Sequence, residues 1–410
     1  MNILLINYEY PPIGGGAATA TAAIAGHLAS LGHAVTVLTS RFHDLTGEVR
    51  EGNVRVVRCP AIRKSPDRSG LLEMLSFLVS AGLRLGSLIR RQRIGAAIVF
   101  FSFPCGPLGL WGWMRGNVPY VISLRGGDVP GNEAALDFLH GLLAPLRRFI
   151  FQRSIAVIAN SPGLKDMSER ADPFPVQVIP NGVDTDYFHP PVTRDEAADR
   201  PFAFLFVGRF QIAKNLFYLF DHIASLKRSG AGPFVLHLVG AGPQNDELRR
   251  HAKNGGIADC LVWHGWVDKI RLREIYWSAD CLVNPSLCEG MPNVVLEAMA
   301  CGLPVIASRV PGNDAVVRHG ETGWLFDLEK PDALRTALRE MMADRGRASE
   351  MGEKGRTWVV DDFSWRKAAQ AYADLFSGSV PRSTAEEIAP RQGRVSRRPE
   401  PFSGGHVCRG

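Results

Sequence analysis

The chain has 410 residues, 46% of them apolar, and carries 47 Lys and Arg against 41 Asp and Glu for a formal charge of +6. That length allows two or three domains with sizeable cores, and the composition excludes a fibrous or wholly disordered chain. Seven cysteines, scattered and without a C-x-x-C pair, argue against a disulfide framework or a zinc site, and no basic stretch interleaved with aromatics points to nucleic acid.

The chain opens "MNILLINYEYPP". It has no basic leader and reads as a first β-strand, so no signal peptide is expected and a cytoplasmic setting fits the free thiols. "PPIGGGAAT" (11–19) follows, between the first strand and the first helix, where glycines let backbone approach a ligand closely. Strand-like runs "AVTVLTS", "AAIVFF", "YVISL" and "IAVIAN" then alternate with helical patterns. Such alternation predicts a parallel sheet covered on both faces. Two helical stretches, 71–93 and 135–153, are apolar with basic C-terminal ends. Glu73 and Arg84 interrupt the first, Asp137 and Pro145 the second, so neither is expected to span a bilayer. Two readings of them stay open. They are core-facing helices with Arg near the negative end of the dipole, or a surface that rests on anionic lipid. Residues 1–190 hold 18 basic and 14 acidic residues, which suits an anionic membrane surface or an anionic substrate as partner.

The segment 179–201 is rich in Pro, Asp and Asn, and after it the strand–helix pattern restarts. The predicted boundary therefore gives a first domain over 1–182 and a second over 183–362, both α/β and doubly wound. Asp184 and Asp186 form a D-x-D inside the connector and are read as linker chemistry, with no metal expected. In "FVGRFQIAKN" (206–215) Arg209 and Lys214 stand at the mouth of a strand, where two cations can clamp a diphosphate. "CLVNPSLCEGMPNVVLEAMACGLPVIAS" reads as strand, loop, helix, strand. Pro292 suits the first helical turn and Gly302 the C-terminal end. A helix N-terminus there binds anions. Glu289 in the loop and Glu297 about a turn inside the helix would accept hydrogen bonds from hydroxyls at different points of one ligand. From 378 the chain is poor in large apolar residues and rich in Arg, Pro, Ser and Gly, and is expected to be a disordered tail. None of the 11 histidines is assigned to catalysis.

The run "EGMPNVVLEAMACGLPVIAS" resembles the E-x7-E signature of the family-4 retaining glycosyltransferases. The likeness extends through the glycine loop, "GHAVTVLT", "IPNGVDTDYF", "VGRFQIAKN", "LVGAGP", "WHGWV" and "GETGWLF". It also covers "FSWRKAAQAYADLF", which resembles a final helix (363–377) that returns to the first domain. The resemblance implies a GT-B fold, with two Rossmann-like domains facing a cleft. It implies transfer of a sugar from a nucleotide-diphosphate donor to a saccharide or lipid-linked acceptor, with no cofactor. Arg209 and Lys214 would bind the pyrophosphate, Glu289 the transferred sugar and Glu297 the ribose. Gly290, Met291, Pro292 and Asn293 would supply backbone contacts, Gly15 and Gly16 would close on the diphosphate, and Trp266 would lie near the base. Asp128 stands where relatives place an acceptor-side polar residue. Arg125 stands where they often carry a histidine, which leaves the acceptor-activating group open. A nucleotide-sugar epimerase or hydrolase, or a non-catalytic binding protein, would share much of this pattern.

Overall fold

The computed structural model describes residues 1–65, 69–132, 136–192 and 200–378. The expected disordered tail lies, from 379 on, outside the described residues. The chain divides into two compact units, Met1–Gly182 with the segment from Trp365, and Val183–Ser364.

In the first unit the chain order is β1 (Asn2–Ile6), α1 (Gly16–Ser30), β2 (Ala34–Ser40), β3 (Gly47–Glu51), β4 (Val54–Cys59), α2 (Leu71–Gln92), β5 (Ala96–Phe100) and α3 (Gly106–Gly116). It continues with β6 (Tyr120–Ser123), α4 (Asp137–Arg153), β7 (Val157–Ala159), α5 (Pro162–Ala171) and β8 (Val176–Val178). The strands form one sheet in the order β3-β4-β2-β1-β5-β6-β7-β8, parallel except for the β3–β4 hairpin. β1 and β5 are almost wholly apolar because helices cover both faces of a parallel sheet. One layer packs Phe77, Ala81 and Leu85 of α2 against Leu108 of α3 and the sheet.

The second unit runs β9 (Phe202–Val207), α6 (Leu216–Arg228), β10 (Phe234–Val239), α7 (Asn245–Asn254), β11 (Leu261–Gly265), α8 (Lys269–Ser278) and β12 (Cys281–Asn284). It ends with α9 (Asn293–Ala300), β13 (Val305–Ser308), α10 (Pro311–Asp314), β14 (Gly323–Phe326), α11 (Ala333–Ala343) and α12 (Arg345–Asp362). Its sheet is all parallel, in the order β11-β10-β9-β12-β13-β14. Strand order reverses between β9 and β12. Ligands of such sheets bind outside the carboxyl ends of the strands at that reversal.

The last helix, α13 (Trp365–Ser377), packs on α1 through Ala368, Ala369 and Tyr372. Tyr372 Oη lies 2.7 Å from Ser123 Oγ at the end of β6. Arg125 completes this junction: its Nη1 donates to Asn181 Oδ1 at 2.7 Å and its guanidinium lies 4.6 Å from the Phe100 ring centroid. Arg125 thus fastens α13 and the 179–182 segment to the sheet, and is not an exposed substitute for a histidine.

Two expectations for the apolar helices change. By length and composition α2 is apolar enough to cross a bilayer, because the 18 residues from Leu71 contain only two charges. Its Phe77, Ala81, Leu85, Leu88 and Ile89 are nevertheless buried in the core of this unit, while Leu72, Val79 and Leu83 stay exposed, Leu83 at 83%. α4 buries His140 and Arg147 along with Ile150 and Phe151, and exposes Phe138 (87%) and Leu142. Neither helix is simply a core-facing one.

Candidate active site

The second unit gathers the predicted donor residues at its strand-order reversal. β9 is a run of six buried residues, Phe202–Val207, and is followed by Gly208. The loop beyond it carries Arg209 and closes in a 3-10 turn over Ile212–Lys214. Two glycines hold this loop in place. A Cβ on Gly240 would lie 2.0 Å from Gly208 O, and one on Gly242 would lie 2.3 Å from Phe210 O. The "LVGAGP" loop can therefore lie directly on the backbone around Arg209, and Phe210 N donates to Ala241 O at 3.0 Å.

The loop after β12 joins the same point. Leu287 N donates to Ala213 O at 2.8 Å, which ties the two loops by backbone. Lys214 Nζ then meets Glu289 Oε1 at 2.5 Å, with both side chains mostly buried. Glu289 Oε1 also lies 2.7 Å from Ser286 Oγ and 3.4 Å from Asn284 Nδ2. Behind them a buried polar chain runs from Asn284 to Asn313 Oδ1 at 2.9 Å, and from Asn313 Nδ2 to Ser308 O at 2.9 Å. A Cβ on Gly312 would lie 2.5 Å from Glu289 O, so α10 approaches residue 289 only because glycine is there. Such a bonded network holds the Glu289 side chain in one rotamer. Sequence reasoning missed Asn284, Ser286 and Asn313. For Asn284 and Ser286 the signal is polar residues at the end of the otherwise apolar strand "CLVNPS"; Asn313, in α10, has no such signal.

Pro292 is the N-cap of α9, one place before the expected first turn, with φ −79° and ψ 105°. Pro292 itself supplies no side-chain cap. The terminal amides and the helix dipole favour an anion there. Gly302 follows the C-terminal end at φ +76°, a conformation that suits glycine. One and a half turns in, Glu297 Oε2 accepts from Tyr276 Oη at 3.0 Å. Burial pushes the Glu297 carboxyl up to about 7, against the opposing pull of the Tyr276 hydrogen bond and the Lys269 charge. Tyr276 is a fourth residue the sequence did not flag. Trp266 follows β11 and is 79% exposed, a bare ring beside the strand ends. Among the described residues no group of three metal-ligating side chains gathers, and Asp184 Oδ1 accepts from Tyr187 N at 3.0 Å to close a local turn.

In the first unit Gly15 is the N-cap of α1 and Gly16 its first residue. Gly14 sits at φ +96°, and a Cβ there would lie 2.7 Å from Glu9 Oε2, so this turn needs glycine twice over. Asp128 is 3% exposed. Its carboxylate accepts from the amides of Ser102 at 2.7 Å, Arg125 at 2.8 Å and Gly126 at 3.1 Å. Burial raises its pKa, partly offset by those bonds. This geometry organises the loop after β6 and does not present Asp128 to an acceptor.

Comparison with known proteins follows the same division. Residues 14–187 match the family described as Glycosyltransferase Family 4, and residues 193–358 match Glycosyl transferases group 1. The chain belongs to the family-4 glycosyltransferases. It is 27% identical over 394 residues to a GDP-mannose-dependent alpha-(1-6)-phosphatidylinositol monomannoside mannosyltransferase of Mycolicibacterium smegmatis, covering 92% of this chain and 98% of that one. It is 32% identical over 233 residues, 52% of this chain and 54% of the other, to a D-inositol 3-phosphate glycosyltransferase of Xylanimonas cellulosilytica. Among solved structures, sucrose-phosphate synthase of Thermosynechococcus elongatus superimposes with a TM-score of 0.77 at 23% identity, covering 92% of this chain and all of that one. The fold is GT-B, with two Rossmann-like domains, and the protein is a glycosyltransferase.

Proposed function

We propose that this family-4 glycosyltransferase takes a nucleoside-diphosphate sugar as donor and transfers the sugar, with retention at the anomeric carbon, to a saccharide or lipid-linked acceptor. The observation that carries the reading is the Lys214–Glu289 pair, held at the strand-order reversal beside the N-terminus of α9. Arg209, Lys214 and that terminus supply positive charge for a departing diphosphate, the group whose charge grows in the transition state. Glu289 accepts from hydroxyls of the departing sugar and Glu297 from those of the ribose. Gly290, Met291 and Asn293 offer backbone contacts, and Trp266 a face for the base. Gly15 and Gly16 would approach the diphosphate, and Asp128 would act by shaping its loop.

A thermal-shift panel of sugar nucleotides tests the donor assignment. A donor at 100 times its Kd adds about 2.7 kcal/mol of stability. Arg209→Ala and Lys214→Ala should each abolish most of that shift and lower turnover by on the order of 100-fold. Near-normal activity in both variants would sink the assignment. Chromatography of products with and without acceptor separates transfer from hydrolysis or epimerisation, and the anomer of the product reports retention.

The same charge inventory makes a divalent ion unnecessary for the leaving group. Activity should survive EDTA, and Asp186→Ala should be mild; a strict Mn²⁺ or Mg²⁺ requirement would overturn this.

The exposed apolar residues of α2 and α4 support a peripheral site on the inner face of the membrane. Both helices pack on α3, and both end in arginines, Arg90 and Arg91 on one and Arg148 and Arg153 on the other. Sedimentation with anionic vesicles should fall as salt rises, because the Debye length is about 8 Å at physiological ionic strength. Leu83→Asp together with Phe138→Asp should release the protein while leaving its fold intact, since both side chains are solvent-exposed. Equal retention of wild type on neutral and anionic vesicles would contradict it.

A further inference from the structure

α8 opens with a cation that pairs with no acid. Asp268 caps the helix by accepting from Arg271 N at 2.8 Å. Lys269 is its first helical residue, and the ammonium has no ion pair among the described residues. It sits instead on two aromatic rings, 4.3 Å from the centroid of Tyr187 and 5.5 Å from that of Phe188. The negative face of a ring attracts a cation without neutralising it. The rings are themselves held in place. Tyr187 and Phe188 meet edge to face at 5.0 Å, and Phe188 is buried. Arg273, one turn along α8, lies 4.6 Å from the Tyr187 centroid and reaches Tyr187 O at 3.5 Å.

The same rings lead to Glu297. Phe188 meets the Tyr276 ring edge to face at 5.9 Å, and Tyr276 Oη donates to Glu297 Oε2 at 3.0 Å. Between the ammonium and the carboxyl there is aromatic packing, where a charge is felt more strongly than across water. Few other charges face Glu297. α8 brings Tyr276 and Lys269, and Lys269 is the cation that favours the ionised carboxylate. Cys301, just past α9, acts on Tyr276. β12 and β13, also packed on α9, carry no Asp, Glu, Lys or Arg. α12 brings Arg356, whose Nη1 is engaged with the carbonyl oxygens of Phe188 and Ala300, and leaves Glu353 and Lys354 exposed.

We propose that Lys269 is a positioning residue for Glu297, the seated counter-charge that lets this buried carboxylate ionise when it meets the donor. The role rests on the reading above that Glu297 holds the ribose. Burial alone keeps a carboxyl neutral, and a neutral acid presents a proton where ribose hydroxyls call for an acceptor. Lys269 acts through Glu297 and does not itself touch the ligand.

Two measurements on the full chain test this, the first without ligand. Lys269→Met should lower the melting temperature more at pH 8 than at pH 4.5, by about 1–3 °C, the size expected for a partly exposed charge pair. Near pH 4.5 the folded carboxyl is protonated with or without the cation. In a Glu297→Gln background the substitution should act equally at both pH values. The second measurement is calorimetric titration with nucleoside diphosphate from pH 5.5 to 9. For Lys269→Met the curve of affinity against pH should slide upward by about half a unit, which weakens binding up to about threefold near pH 7. Affinity at pH 9 should match wild type, and Lys269→Arg should restore the wild-type curve. The ligand's own ionisation is common to all these proteins and cancels in the comparison. Equal melting shifts at the two pH values in the Glu297 protein would overturn the pairing. Binding weakened at pH 9 as much as at pH 7, or weakened alike in Glu297→Gln, would mean that Lys269 touches the ligand, and would overturn the proposal as well. Melting shifts as expected, with an affinity curve that does not move, would leave the charge pair standing and overturn the ribose reading instead.

Discussion

Glu289→Ala should lower kcat by on the order of 100-fold or more and yet bind free nucleoside diphosphate at least as tightly as wild type. The first half follows from where charge develops. As the sugar leaves, its anomeric carbon becomes cation-like, and a carboxylate beside it is worth more in the transition state than in the bound substrate. The second half follows from the 2.5 Å contact between Lys214 Nζ and Glu289 Oε1. Before donor arrives, Lys214 is already committed to a carboxylate. A diphosphate must share that ammonium or draw it away, and part of its binding free energy is spent in doing so. Removing Glu289 leaves Lys214 unopposed and ready for phosphate. Glu289→Gln keeps an acceptor for Ser286 and Asn284 while removing the charge, so it separates electrostatics from loss of the network. Lys214→Ala supplies the opposite signature, weak diphosphate binding with Glu289 still anchored by Ser286. Titration of each variant with nucleoside diphosphate and with intact donor reads both effects. If Glu289→Ala loses diphosphate affinity as badly as Lys214→Ala does, the two residues do not divide the ligand in this way.

The alternation of strands and helices was legible from sequence because parallel strands buried on both faces are continuous apolar runs, as in Phe202–Val207. Arg209, Lys214 and Glu289 stood out as candidates because each lies in a loop or turn a few residues past such a run, and Glu297 because it is an acid inside the apolar helix that follows. What holds them was not. Ser286 and Asn313 are 27 positions apart in sequence and meet through Asn284 and Ser308, and no local pattern announces a pairing of that range. The glycines at 240, 242 and 312 look like ordinary turn residues until the neighbouring backbone that would collide with a Cβ is known. Asp128 and Arg125 were visible as polar residues after a strand, but their direction was not, and both turn inward. α4 misled for a different reason. Periodicity reports which residues share a face, and the usual rule then buries the apolar face. Here Arg147 is buried alongside Ile150 and Phe151, neutralised by Asp172 on the neighbouring segment, while Phe138 and Leu142 of the same helix stay outside.

Glu297→Gln should stabilise the protein at pH 8, leave its stability unchanged near pH 4.5, and remove a pH dependence from nucleotide binding. Burial holds the folded-state carboxyl at about 7, above the 4.5 of an ordinary glutamate. Well below pH 4.5 the group is protonated folded or unfolded and contributes nothing to the difference, and at 4.5 itself the half-ionised unfolded chain contributes only about 0.4 kcal/mol. Between 4.5 and 7 the unfolded chain ionises while the folded one stays protonated, so folding becomes progressively less favourable. Above 7 the full penalty is present, on the order of 3 kcal/mol at most for a shift of this size. Glutamine has the same shape, still accepts from Tyr276, and never ionises, so it escapes that penalty and should raise Tm by several degrees at pH 8. The penalty has a use if ribose hydroxyls donate to this carboxylate, because an ionised acceptor holds them more strongly. Wild type should then bind nucleoside diphosphate more tightly as pH rises through 7 and release a proton on binding when titrated at pH 6. The phosphate of the ligand itself ionises near 6, so the quantity to read is the difference between wild type and Glu297→Gln across the range. That difference should grow from pH 5.5 to 8, with donor KM raised in the variant and kcat changed less, since the ribose is the same before and after transfer. Parallel affinity curves for the two proteins would mean that Glu297 is a buried structural acid and that the ribose is held elsewhere.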